Sequence, residues 1–115
     1  MPAISFKKQF ADKVLKGKKN QTIRPIRKNP IKKDDTLYLY TGMRTKDCKK
    51  LKEVKCKDVK KIKIDFFDTK IDGASVPNSS VVDLALNDGF DNSIDFIEFF
   101  EKQYGLPFEG VIIYW

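Results

Sequence analysis

Phe6, Phe10 and Val14 recur at every fourth residue, with Leu15 beside them and Lys, Gln, Ala and Asp filling the positions between. That period puts one apolar stripe on a helix, which Ser5 can cap and Gly17 can stop. Ahead of it, "AISF" at 3–6 reads as a short strand or as the approach to the helix. After it, "QTIRP" reads as a short strand, with Pro25 keeping Arg24 extended, and "IRKNPIKKDD" is a basic loop with turn signals. Leu37 and Leu39 alternate with Tyr38 and Tyr40, which makes "TLYLYTGM" at 36–43 the clearest strand of the chain. "EVKCKDVKKIKIDF" predicts one long strand or a bulged pair. Val54 and Cys56 and, after a slip, Val59, Ile62 and Ile64 point one way, with lysines opposite.

The second half has a different rhythm. "DTKIDGASVPNSS" is a loop with turn chemistry and room for one short strand. Ser80 and Asp83 have the spacing of a capping box ahead of "VVDLALNDG", whose Gly89 ends that helix. Asn92 or Ser93 opens another, in which Phe96, Phe100 and Tyr104 form a stripe joined by Ile97, and Gly105 ends it. "EGVIIYW" is a strongly apolar final strand, and Trp115 is expected to plug a barrel. Neither a repeat nor a linker interrupts the 115 residues, so residues 1–115 are expected to be one domain. The order strand, helix, strands, two helices, strand is that of an α+β fold, a small curved sheet or barrel with helices over its openings.

Charge sharpens this picture. Residues 1–63 carry 21 of the 23 Lys and Arg but 6 of the 16 Asp and Glu, while residues 64–115 carry the remaining 2 and 10. A basic first half of this strength suits a polyanion partner. The alternative is a strand with a lysine-rich solvent face, which also protects a sheet edge. There is no histidine, which excludes Ser-His-Asp and Cys-His catalysis and the usual zinc hydrolase sites. Any hydrolysis must run on lysine, carboxylate, threonine or tyrosine. Cys48 and Cys56 are the two cysteines and read as free thiols, so neither a metal nor a cofactor is expected. No apolar run approaches the roughly 18 residues of a membrane span, and "MPAISFKKQF" lacks the apolar core of a signal peptide. The expectation is a cytoplasmic protein without a membrane partner; the pattern leaves its oligomeric state open.

The candidate chemistry gathers in "GKKNQTIRP". Thr22 and Arg24 are two apart and share a strand face, with Ile23 on the other, toward the core. Lys19 then belongs in the turn after Gly17, from which its stem swings back toward the hydroxyl. If burial or neighbouring cations make Lys19 neutral, it can take the proton of Thr22 as in a Ser-Lys dyad. If it stays an ammonium, it anchors a phosphate or a carbonyl oxygen. Arg24, Arg44 and Lys46 are candidate ligand or phosphate contacts, or else plain surface cations. Tyr38 and Tyr40 either stack on a base or pack on one side of the sheet. Phe96, Phe99 and Phe100 are core.

Taken in order, "FADKVLKGKK" running into "QTIRP", "DDTLYLYTGMRTK", "ALNDGF", the aromatic helix and "VIIYW" resemble the ASCH domain family, related to the PUA domain. The most specific part is Gly17-x-Lys19-x-x-Thr22-x-Arg24 after an amphipathic helix, supported by Asp88-Gly89-Phe90. The resemblance implies a PUA-like β-barrel flanked by helices and a function linked to RNA. One branch of that family consists of small amidohydrolases that cleave N4-acetylcytidine to cytidine and acetate with a lysine, a threonine and a glutamate. Those roles fall on Lys19 and Thr22 and, in place of the glutamate, near Asp88, whose carboxylate is one methylene shorter. "GMRTKDCKKL" departs from that branch. The expected partner is therefore a modified nucleoside, turned over at Lys19, Thr22 and Asp88, with Arg24, Arg44, Lys46 and Tyr40 as ligand contacts. The alternative is a non-catalytic module for single-stranded RNA.

Overall fold

The computed structural model describes residues 2–66 and 68–115. Its elements run β1 (Ala3–Phe6), α1 (Lys8–Leu15), β2 (Gln21–Arg24), β3 (Thr36–Thr41), β4 (Lys49–Lys55), β5 (Asp58–Ile64), β6 (Lys70–Ile71), β7 (Ala74–Ser75), α2 (Asn78–Asn87), α3 (Ser93–Tyr104) and β8 (Phe108–Tyr114). The α+β class holds. The strands form two sheets, ordered β1-β3-β4 and β2-β8-β5-β6-β7. Neither closes on itself, and no described strand pairing joins one to the other.

The handover between sheets occurs where the sequence suggested a slip. Cys56 still pairs with the first sheet, donating its N–H to Asp35 O and accepting from Asp34 N, both at 2.8 Å. Lys57 already donates to Tyr114 O of the second sheet at 2.8 Å. The expected long strand or bulged pair is thus two strands in different sheets, and within β5 the unbroken register puts Val59 on the face opposite Ile62 and Ile64, not beside them. Leu37, Leu39, Leu51, Cys56, Ile62 and Ile64 are buried, and the lysines between them face outward or lie half-buried. Tyr38 and Tyr40 occupy the other face of β3, half-buried, with the Lys50 ammonium 5.2 Å from the Tyr38 ring.

Both sheets and all three helices enclose one aromatic-rich core. Phe96 and Phe100 are buried on α3, with Phe99 half-buried beside them. Trp115 packs edge-on against Phe6, 5.8 Å between centroids, and so ties the end of the second sheet to β1 of the first. The Asp72–Gly73 turn has positive φ at both residues, 52° and 84°, as the two-residue turn of the β6–β7 hairpin requires. No helix among the described residues is long and apolar enough to cross a membrane.

Two helix starts differ in kind. Asn92 caps α3, its Oδ1 accepting from Asp95 N at 2.8 Å. The expected box of Ser80 and Asp83 does not form: Pro77 stands at the N-cap of α2, which begins at Asn78, so Ser80 lies inside the first turn. Pro77 is extended there (ψ 160°) and offers no side-chain cap, so the start of α2 has none.

Candidate functional site

Two helix ends of the same design build the site. At the end of α1, Gly17 (φ 75°) donates its N–H to Val14 O, and Lys18 donates to Lys13 O. At the end of α2, Gly89 (φ 97°) donates to Leu86 O, and Phe90 donates to Ala85 O. Both are Schellman closures, in which a left-handed residue reverses the chain sharply. The first throws Lys19 inward, and its own N–H is also held on Lys13 O at 3.0 Å. The second turns Asp88 and its carbonyl to meet it. The approach is close: a Cβ at Gly89 would lie 3.0 Å from Phe10 Cδ1 and 3.4 Å from Lys19 Cδ. Lys13 Nζ secures the pair of turns by donating to Gly89 O at 2.7 Å.

Lys19 is 2% exposed, the largest fully buried side chain described. Its Nζ donates to Asp88 O at 2.5 Å and lies 3.1 Å from Asp88 Oδ1. Gln21 Nε2 donates to the same Oδ1 at 3.3 Å. The ammonium stands 5.0 Å from the Phe10 ring and 5.8 Å from the Phe6 ring, each an attractive cation–π distance. Burial outweighs these attractions for both partners of the pair. It lowers the Lys19 pKa against the pull of Asp88, with Arg24 and Lys13 adding repulsion. It raises that of Asp88 against the pull of Lys19, Gln21 and Arg24.

Thr22 and Arg24 form the other half of the site. Arg24 Nε donates to Thr22 Oγ1 at 3.0 Å, and Nη2 donates to Ser5 O at 2.6 Å. The guanidinium lies 5.2 Å from the Phe6 ring, so Phe6 sits between the cations of Lys19 and Arg24. Lys19, Thr22, Arg24 and Asp88 all line one cavity of about 100 Å³, closed by Phe6, Phe10, Phe90, Phe99 and Phe100 and bordered at its mouth by Gln103 and Tyr104. Lys7 Nζ reaches across to Gln103 Oε1 at 3.3 Å. Ile23 is 4% exposed and belongs to the core, though it also touches the cavity wall. No hydrogen bond joins Lys19 to Thr22 in this state.

The other candidates are elsewhere. Arg44 (φ 69°) and Lys46 are exposed on the turn between β3 and β4 and line no described cavity. Tyr40 is half-buried on β3, opposite Ser5 in the parallel pairing, and its side chain lines neither the cavity nor the groove beside it. Gln21, Lys13, Phe6 and Phe10 belong to the site but were not expected there. Lys19 lies outside β2, so strand period gives no signal for Gln21; its contact with Asp88 comes from the tertiary fold. Compared with protein-family models, curated proteins and solved structures, the chain matches none.

Proposed function

We propose that this is a PUA-like protein of the ASCH type acting in the cytoplasm, and that its buried cluster hydrolyses N4-acylated cytidine to cytidine and a carboxylate. One observation carries the reading: Lys19, buried to 2% exposure, shares a cavity with Thr22, Arg24 and Asp88. A buried lysine whose pKa is lowered by desolvation suits a general base. An ion pair kept only for stability gains little from such burial. The family reading is supported by the order of elements and by the meeting of the Gly17–Arg24 segment with the turn at Asp88. The described strands form two open sheets around a shared core, with neither closed into a barrel, so the PUA-like assignment rests on the motif order and the site.

In this mechanism neutral Lys19 takes the proton of Thr22 Oγ1 as that oxygen attacks the acyl carbon. The tetrahedral intermediate expels the cytosine N4 amine, which recovers the proton from Lys19. Water then attacks the threonine ester, again with Lys19 as base, releasing the carboxylate and restoring the hydroxyl. Arg24 Nε, already donating to Thr22 Oγ1, eases removal of the hydroxyl proton, while the negative charge of the intermediate falls on the acyl oxygen. Asp88 holds the Lys19 amine through its carbonyl and carboxylate oxygens. For the first proton transfer, the Nζ lone pair must face Thr22 Oγ1 while its N–H bonds stay on Asp88, an approach that free enzymes often complete only with substrate bound.

The test is incubation with N4-acetylcytidine followed by chromatography for cytidine. Cytidine release is expected from the wild type and is expected to fall about 10⁴-fold in Thr22→Ala. Release that is no faster than with Thr22→Ala refutes the hydrolase. A second reading, a non-catalytic module for single-stranded RNA, is favoured by Lys49, Lys50, Lys55, Lys57 and Lys61, all exposed on or beside β4 and β5. Binding without turnover, weakening steeply with salt, would support it.

A further inference from the structure

We propose that the groove beside the catalytic cavity is an anion subsite, holding a phosphate carried on the ribose of the ligand, so that the protein takes a nucleotide in preference to the free nucleoside. The cytidine part of this ligand rests on the function proposed above; the phosphate rests on the groove. The groove measures about 570 Å³ and is lined by Ser5, Phe6, Lys7, Lys8 and Arg24 along one side and by Thr41, Gly42, Met43, Thr45 and Asp47 along the other. It shares Ser5, Phe6, Lys7 and Arg24 with the inner cavity. Small-molecule sites typically span about 300–1,000 Å³. The inner cavity, at about 100 Å³, falls well below that range. It has room for the reacting acyl-amide end alone, and the rest of the ligand must extend into the groove.

Charge in the groove is unbalanced. Three cationic residues, Lys7, Lys8 and Arg24, line it beside one carboxylate, Asp47; the Lys7 ammonium is turned to Gln103 and the Phe99 ring, which leaves Lys8 and Arg24 as the groove's own charges. Arg24 stands where the two compartments meet and is half-buried. Its Nε and Nη2 are held by Thr22 and Ser5, and among the described residues no carboxylate lies within ion-pair distance of it. Among the described residues no group accepts from the remaining guanidinium donors, which stay open to solvent. Asp88 is the nearby carboxylate attraction of Arg24, without a direct ion pair, and the planar fork of a guanidinium matches two phosphate oxygens. A neutral nucleoside would leave that charge unmatched.

The experiment is calorimetric titration of the full chain with cytidine, cytidine 5′-monophosphate, cytidine 3′-monophosphate and a short oligocytidylate, at low and high salt. At least one phosphorylated probe is expected to bind about tenfold tighter than cytidine, the effect of one charge-assisted hydrogen bond, with the advantage shrinking at high salt. Lys8→Gln, at an exposed position outside the inner cavity, is expected to reduce that advantage about three-fold without changing cytidine affinity. If the oligocytidylate binds tighter than both monophosphates, the phosphate belongs to an RNA chain; if not, it belongs to a free nucleotide. Equal binding of cytidine and all phosphorylated probes overturns the subsite, as does an equal loss for every probe in Lys8→Gln, or no binding by any. The two proposals fail separately. Turnover of N4-acetylcytidine without a phosphate preference removes the subsite and leaves the hydrolase. A phosphate preference sensitive to Lys8→Gln, without turnover, removes the hydrolase and leaves the subsite.

Discussion

Two stretches of this chain use nearly the same letters. "GKKNQTIR" at 17–24 and "GMRTKDCK" at 42–49 each begin with glycine and contain threonine, arginine and lysine. Both glycines have positive φ, 75° and 65°. Yet Lys19 and Thr22 are 2% and 3% exposed, while Arg44, Thr45 and Lys46 lie open to solvent. The difference is in what each glycine turn leads to. After Gly17 the chain enters β2, which pairs with β8, where Ile23 lies opposite Ile112, and it is covered by α1, the turn at Asp88 and the aromatic residues of α3. After Gly42 the chain satisfies itself locally: Thr45 N and Oγ1 both donate to Gly42 O, at 3.1 and 2.6 Å, and Asp47 N donates to Thr45 Oγ1. Polar letters mark a site where tertiary packing removes water from them, and a turn where it does not.

The largest effect that separates the stretches is on catalysis. Lys19→Arg is expected to abolish turnover of N4-acetylcytidine by about 10⁴-fold, because guanidinium does not deprotonate near neutral pH. Arg44→Lys and Lys46→Arg are expected to leave the rate unchanged. An active Lys19→Arg enzyme would remove lysine as the base and leave it an electrostatic anchor. Its pH–rate profile, measured beside that of the wild type, decides between the two.

Stability comes next. Lys19→Ala or Asp88→Ala leaves one buried charge without its partner and is expected to cost about 3–5 kcal/mol, read from denaturant unfolding. Replacing both with apolar residues of similar volume, Lys19→Met with Asp88→Leu, is expected to restore most of that loss. The same experiment at Arg44 or Lys46 should leave the midpoint where it was. If Lys19→Ala unfolds at the wild-type midpoint, the pair is not the buried contact described here.

The pair should also be visible in the pH dependence of stability. Asp88 has a folded-state pKa raised by burial, so the unfolded chain binds fewer protons there and stability falls as pH rises above about 3.9. Lys19 has a folded-state pKa lowered by burial, so the folded chain binds fewer protons and stability rises again as pH approaches about 10.4. Subtracting the profile of Lys19→Met with Asp88→Leu from that of the wild type should therefore give a trough between these values. A flat difference, or a maximum as an exposed salt bridge would give, contradicts the burial.

The smallest effect belongs to the exposed turn. If the RNA reading holds, Arg44→Ala or Lys46→Ala should each reduce the log–log salt slope of single-strand binding by about 0.7 without altering the melting temperature. A slope unchanged by both would make this turn a solvated loop and leave the lysines of β4 and β5 as the remaining basic surface.

Much of the architecture was legible along the chain because it depends on neighbours a few residues apart. The spacing of Phe10 and Val14 on α1 (Phe6, expected on the same helix, falls in β1, and Lys7 rather than Ser5 stands at the N-cap), the alternation at Leu37–Tyr40, the Asn92 cap and the glycines at 17, 89 and 105 each act through local backbone geometry. The choice of Lys19 and Thr22 as candidates was legible too, since residue type says which side chains can exchange a proton in a chain without histidine, whereas Asp88 entered only through the family resemblance. Other features were decided only by tertiary structure. That Cys56 and Lys57 pair with different sheets follows from which distant backbone groups reach them, Asp34–Asp35 ahead of β3 on one side and Tyr114 of β8 on the other. Residue pattern carries no record of those partners. That Asp88 meets Lys19 across 69 positions, with Gln21 on the same carboxylate, depends on two helix ends reversing toward each other. Whether a lysine is a solvated charge or a buried amine is likewise a property of everything packed around it, because desolvation sums over all neighbours and sequence spacing counts only the nearest ones.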